Sequence, residues 1–147
     1  MSRHDLGPAP ADEYVLHCDG ASRGNPGLAS IGFALFDAQG TEVLGRGEVL
    51  GDGITNNVAE YTALLRGLEA ALVHGVRRIR ARLDSELVVR QVRGDYRVRH
   101  AGLKPLHAAV CTRSRAFESF AIEHVPRAEN QRADALANAA LDDLVSP

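Results

Sequence analysis

The chain has 147 residues, 45% hydrophobic and 24% charged, with a formal net charge of −2, which suits one globular domain with an ordinary core. No stretch is long and apolar enough to span a membrane, and a slightly acidic chain does not hold nucleic acid by bulk electrostatics. Cys18 and Cys111 are too few for a disulfide framework and are expected to be reduced, buried thiols.

Charge is nevertheless uneven. Arginines gather between Arg77 and Arg99, and acids concentrated at one site would be offset by bound cations, so a nucleic-acid substrate stays open. The opening MSRHDLGPAPADE lacks an apolar segment and mixes Pro, Ala and charge. It predicts a flexible tail over 1–12 rather than a signal peptide, a cytoplasmic location, and one domain over 13–145.

Residues 14–19 alternate, with Tyr14, Leu16 and Cys18 on one side and Val15, His17 and Asp19 on the other, as in a strand covered on both faces. Gly20, Gly24 and Gly27 with Asn25-Pro26 predict a compact turn open to a ligand. Strands over 30–36 and 41–50, separated by Asp37-Ala-Gln-Gly40, complete an antiparallel meander.

From Thr55 the period becomes helical through Val58, Tyr61, Leu65, Leu68 and Leu72, with Asn57 and Glu60 spaced as a capping box and an end near His74-Gly75. A strand over 76–83 follows, then a short helix over 86–92 capped by Ser85. Residues 94–102 are polar and irregular. Leu103, Leu106 and Val110 begin a helix running to about Arg115, and a strand over 118–125 leads to an alanine-rich helix over 130–144. Three antiparallel strands followed by strand–helix crossovers predict a mixed five-stranded sheet flanked by helices, in the α/β class.

Asp19, Glu60, Asp84 and Asp134 each fall at or next to the end of an element, where side chains from distant segments converge. A single acid in such a place is an ordinary helix cap or surface charge. Four together, with no His/Cys cluster, select a hard cation such as Mg²⁺ or Mn²⁺, and two such ions would support phosphodiester cleavage.

The blocks CDGASRGNPG, TNNVAEYTALLRGLEAAL, LDSELVVRQV and AENQRADALAN, in this order, resemble those of type 1 ribonuclease H, over about Tyr14 to Leu141. The resemblance implies the ribonuclease H-like mixed five-stranded sheet, three antiparallel strands then two parallel. It implies an endonuclease that hydrolyses the RNA strand of RNA–DNA hybrids to 5′-phosphate and 3′-hydroxyl ends with two Mg²⁺ ions, Mn²⁺ serving as a substitute. Asp19 would bridge both ions, Glu60 and Asp84 would help bind one, and Asp134 the other. Substrate contacts would come from Gly20, Asn25, Asn56, Asn57 and Glu86, with Thr55 on a DNA phosphate. The hybrid is the partner; no protein partner is implied, and a monomer suffices.

The chain departs from the family pattern in two places. Many relatives carry a histidine in the loop before the last helix; here that loop is Val125-Pro-Arg-Ala-Glu-Asn130, where Arg127 is placed to take over an electrostatic part but not to act as a base. His17 and His124 are expected to be structural. The basic, tryptophan-containing protrusion of some relatives is missing, since the chain has no tryptophan and leaves Arg90, Arg93, Arg97, Arg99 and Lys104 as a modest patch. Glu86 stands where some relatives have glutamine. Two other readings stay open, a non-catalytic nucleic-acid-binding module on the same fold and a related nuclease acting on DNA or double-stranded RNA.

Overall fold

The computed structural model describes residues 12–145. Strands β1 (Tyr14–Gly24), β2 (Gly27–Phe36) and β3 (Glu42–Ile54) form the meander. Helix α1 (Asn56–Val73) leads to β4 (Arg78–Leu83), α2 (Glu86–Arg93), α3 (Lys104–Ser114), β5 (Ser119–His124), a 3-10 turn (Arg127–Glu129) and α4 (Gln131–Val145). The sheet order is β3-β2-β1-β4-β5, with β1–β2 and β2–β3 antiparallel and β1–β4 and β4–β5 parallel. The expected mixed five-stranded sheet is therefore present. Of the expected tail, residues 1–11 lie outside the described residues, while Asp12 pairs with Arg78 at 2.8 Å.

Helix α1 lies on one face of the sheet and α4 on the other, so β1 is covered on both sides. Leu16, Cys18, Ile31, Phe33, Leu35, Leu64 and Leu68 build the core under α1. The buried stripe of α1 is rich in small residues, with Ala59, Ala63, Gly67 and Ala71 beside Tyr61, Leu64 and Leu68, so the helix axis lies close to the sheet. A Cβ on Gly67 would come within 2.8 Å of Leu16. Tyr61 is fully buried and donates its hydroxyl to Gln91 Oε1 at 2.6 Å, satisfying a polar tip inside the core. Among the described residues, no helix is long and apolar enough to cross a membrane.

On the opposite face, α4 rides on glycines. A Cβ on Gly32 would fall 2.1 Å from the Ala133 carbonyl oxygen, and one on Gly47 2.2 Å from that of Leu136. Ser30 Oγ donates to the Ala137 carbonyl at 2.6 Å, tying the same helix to β2. Beyond β1, that face of β4 and β5 carries an ionic ladder. Arg80 meets Glu13 at 2.8 Å and Glu123 at 3.5 Å, and Arg82 meets Glu123 at 2.7 Å.

Several local expectations change. The glycine-rich stretch after Asp19 is not one compact turn, because β1 stays paired with β2 as far as Gly24↔Gly27, leaving Asn25-Pro26 at the tip. Pairing to β2 carries the strand past the point where its parallel neighbour stops. Helix α1 is capped by Thr55, whose hydroxyl accepts from the Val58 amide at 3.2 Å, while Asn57 sits exposed in the first turn. Strand β4 begins at Arg78, since Val76 still closes the helix end, its N–H donating to the Ala71 carbonyl. Strand β3 slips register against β2 where Gly51 and Gly53 adopt positive φ. Both cysteines are free, Cys18 buried and Cys111 only half-buried at the surface of α3.

Replacing Gly32 or Gly47 by Ala is expected to destabilise the protein by roughly 1–3 kcal/mol, because the new methyl meets helix backbone rather than a movable side chain. Urea denaturation would measure it; unchanged midpoints would mean that α4 is free to shift away from the sheet.

Candidate active site

The β1–β4 ladder ends at Cys18↔Leu83, so Asp19, further along β1, and Asp84, just past β4, directly follow its last pair. From here the chain runs outward on one side through β2 and β3 and on the other through β4 and β5, and such a switch point leaves a crevice at the strand ends. Asp19 projects on the α4 side, since its cross-strand partner Gly32 faces that helix. Gly20 projects on the α1 side, where a Cβ would lie 2.4 Å from the Ala59 carbonyl carbon. With hydrogen in that place, α1 comes in close enough for Glu60 Oε1 to accept from the Gly20 amide at 3.2 Å.

Asp19, Glu60 and Asp84 thereby bring one oxygen each within 4.8 Å of one another. Asp134 enters from the first turn of α4. The Asn130 side chain donates to the Cys18 carbonyl at 2.8 Å, and the Asn130 carbonyl accepts from the Asp134 amide at 3.2 Å. One fully buried residue therefore fixes the start of α4 to β1 at the point where its parallel pairing with β4 ends. Asn138, one turn on, donates to Asp134 Oδ1 at 3.2 Å, and Arg127 lies 3.6 Å from the same oxygen. All four acids and Arg127 line a single cleft of about 530 Å³.

Crowding and burial disturb the acids. Asp19 is pushed up to about 10, first by burial, then by the Glu60 charge, the hydrogen-bonding proximity of Asp134 and the Asp84 charge. Glu60 is pushed up to about 7, chiefly by burial, and Asp84 is raised by burial against the opposing pull of Arg127. Glu60 Oε2 is buried with no hydrogen-bond partner. An all-oxygen donor set with an orphaned buried carboxylate oxygen fits a hard divalent cation, which would relieve both the repulsion and the unpaired atom.

The other sequence-predicted residues divide into two groups. Asn25, Thr55, Asn56 and Asn57 line an adjoining hollow of about 370 Å³ with His100 and Leu103. Asn25 Oδ1 accepts from the Asn56 amide at 3.1 Å, which leaves its NH₂ to face outward. Thr55 Oγ1 is used as an acceptor, and its O–H remains to donate. Glu86 is exposed on α2, held by Arg90 at 3.1 Å, and does not line either cavity. Gly20 lines the acidic cleft with its amide committed to Glu60. His17 is half-buried against Phe36, its pKa lowered by burial and then by Arg82, whereas His124 ends β5 exposed.

Sequence reasoning missed Asn130, Asn138, Arg23 and Ser85 as cleft residues or supports. The Asn130-x-x-x-Asp134 spacing, a cap-forming residue one turn before an acid, was the available signal for the first.

Residues 17–140 match the family model described as Reverse transcriptase-like. The Ribonuclease HI of Halobacterium salinarum is 46% identical over 125 residues, 85% of this chain and 62% of that protein, so the chain spans less than two thirds of that curated relative. The crystal structure of RNase H1 from the halophilic archaeon Halobacterium salinarum NRC-1 superposes with a TM-score of 0.87 at 44% identity, covering 89% of this chain and 98% of that one. LC11-RNase H1, solved in complex with an RNA/DNA hybrid, superposes with a TM-score of 0.85 at 37% identity, covering 90% and 99%.

Because the folded-state pKa values of Asp19 and Glu60 are raised, each contributes stability that is full below about pH 4 and is lost as pH rises, towards 7 for Glu60 and towards 10 for Asp19. In chelator, Asp19→Asn is therefore expected to stabilise the protein at pH 8, by at least about 1 kcal/mol, with the gain vanishing towards pH 4. Thermal melts at the two pH values decide it; an equal gain at both would point to packing rather than charge.

Proposed function

We propose, from the premise that this chain belongs to the type 1 ribonuclease H family, that it is a divalent-metal-dependent endonuclease hydrolysing the RNA strand of RNA–DNA hybrids. The observation that carries the reading is the approach of Asp19, Glu60 and Asp84 to within 4.8 Å from three separate elements, with a buried carboxylate oxygen left without a partner. A non-catalytic module has no use for such repulsion, and a polyanion would be turned away from these acids unless cations filled the cleft.

Asp19, Glu60, Asp84 and Asp134 would hold the cations, Mg²⁺ with Mn²⁺ as a substitute and two during catalysis. When bound, they supply an acidified water and neutralise charge developing on the phosphate. The protein's part is to hold the acids in place, and Asn130 and the Gly20 amide do so from opposite sides. Arg127, exposed at the cleft mouth, would offset charge on the scissile phosphate through its guanidinium.

Substrate reading falls to the neighbouring hollow. The free donors of Asn25 and Thr55, with Asn56 and Asn57, suit 2′-hydroxyls, base edges and a DNA phosphate across a shallow minor groove. Glu86 would have to leave Arg90 to join them, and Gly20 contributes by letting the backbone approach closely. The same proposal takes residues 13–145 as one ribonuclease H domain and the protein as a monomer in the cytoplasm, in keeping with two free cysteines. Products would carry 5′-phosphate and 3′-hydroxyl ends.

A labelled hybrid incubated with Mg²⁺, with Mn²⁺ or with chelator tests this. The RNA strand should be cut only with metal, Asp19→Asn should lower the rate at least about 10³-fold, and Arg127→Ala about tenfold, mainly in kcat. DNA duplex, RNA duplex and single strands should be spared. Binding of the hybrid without cutting would overturn the catalytic assignment.

A further inference from the structure

Asp19, Ala21 and Arg23 share one face of β1, the face against α4. Four strand residues from Asp19 to Arg23 rise roughly 13 Å, and eight helical residues from Asp134 to Asp142 rise roughly 12 Å. Helix α4 thus runs alongside β1 in step with it. Asp134 reaches the acid cluster at one end, and at the other Asp142 Oδ1 accepts from Arg23 Nη2 at 2.5 Å.

Arg23 and Arg127 are the only cations among the described residues lining the acidic cleft. Each is engaged by an acid of α4, Arg127 by Asp134 and Arg23 by Asp142. The Arg23–Asp142 contact uses one guanidinium nitrogen and is open to water, with the two side chains 43% and 63% exposed. Such a pair is weakly held and exchanges easily for a better anion. A phosphate diester offers that anion, in the bidentate geometry a guanidinium favours.

We propose that Arg23 is a further substrate-binding residue, gripping a backbone phosphate of the hybrid at the end of the cleft away from Arg127, and that Asp142 holds Arg23 in readiness and attenuates its grip. The proposal rests on the hybrid as substrate. A polyanion crossing a cleft built around four carboxylates needs cations flanking them, and the two arginines stand at its two ends. On binding, Arg23 exchanges Asp142 for phosphate without movement of the sheet.

The test is binding of a fluorescent RNA–DNA hybrid to the full chain carrying Asp19→Asn, which separates binding from cutting. Adding Arg23→Ala should weaken binding about tenfold and make the salt dependence shallower by roughly one unit of log K per log salt, with the melting temperature unchanged. Arg23→Lys should recover part of the affinity. Asp142→Asn should tighten binding two- to threefold with Arg23 present, and less once Arg23 is Ala, a coupling that loss of acidic charge alone would not produce. Unchanged affinity and salt slope in Arg23→Ala would overturn the proposal while leaving the hybrid as substrate. A parent that binds no hybrid would overturn both.

Discussion

Like charges set the terms for this molecule. Asp19, Glu60 and Asp84 are forced into one small volume where the parallel pairing of β1 and β4 ends, and without a counter-charge the arrangement opposes folding. It persists because each acid is anchored by an element whose own packing is strong. Asp19 is carried by a central strand paired on both sides, Glu60 by a helix with a buried apolar stripe, and Asp134 by a helix tied to the strand end through Asn130. Strain at the site is balanced by the core behind it, a division of labour usual where a ligand completes the charge balance.

Absent side chains set the geometry as much as present ones. Gly20 lets α1 reach the strand end, while Gly32 and Gly47 let α4 settle onto the sheet. The two helices therefore approach the same strand from opposite faces, and the acids they carry line one cleft with Asp19. On the α4 side of β4 and β5, arginine and glutamate side chains lie over the sheet instead. Long amphipathic side chains lying flat can shield a strand at a density that helix packing would not require.

The sequence made the larger plan legible. Period two and period 3.6 marked the elements, and acids near element ends marked the site for Glu60, Asp84 and Asp134. Asp19, expected at a strand end, lies instead in the middle of β1 because pairing to β2 carries the strand on to Gly24. What it concealed were relations between distant segments. Continuation of β1 beyond Asp19 depends on β2 supplying partners, so a run of glycines looked like a turn when it was strand. The cap of α1 fell to Thr55 rather than Asn57 because the incoming path from β3, not residue preference, decides which side chain meets the free amides. Asn130 shows nothing in the sequence of its bond to the Cys18 carbonyl, 112 residues away, which only folding brings near. Arg23 similarly acquired meaning from Asp142, 119 residues away.

The long third strand has a consequence beyond its place in the meander. It is an outer strand of 13 residues, a length that ordinarily invites a stranger's backbone to pair with it. Its register slips near Gly51 and Gly53 interrupt the regular edge beyond an in-register run from Leu44 to Val49. The irregularity that precedes Thr55 thus also shortens the straight template that an aggregating neighbour could use.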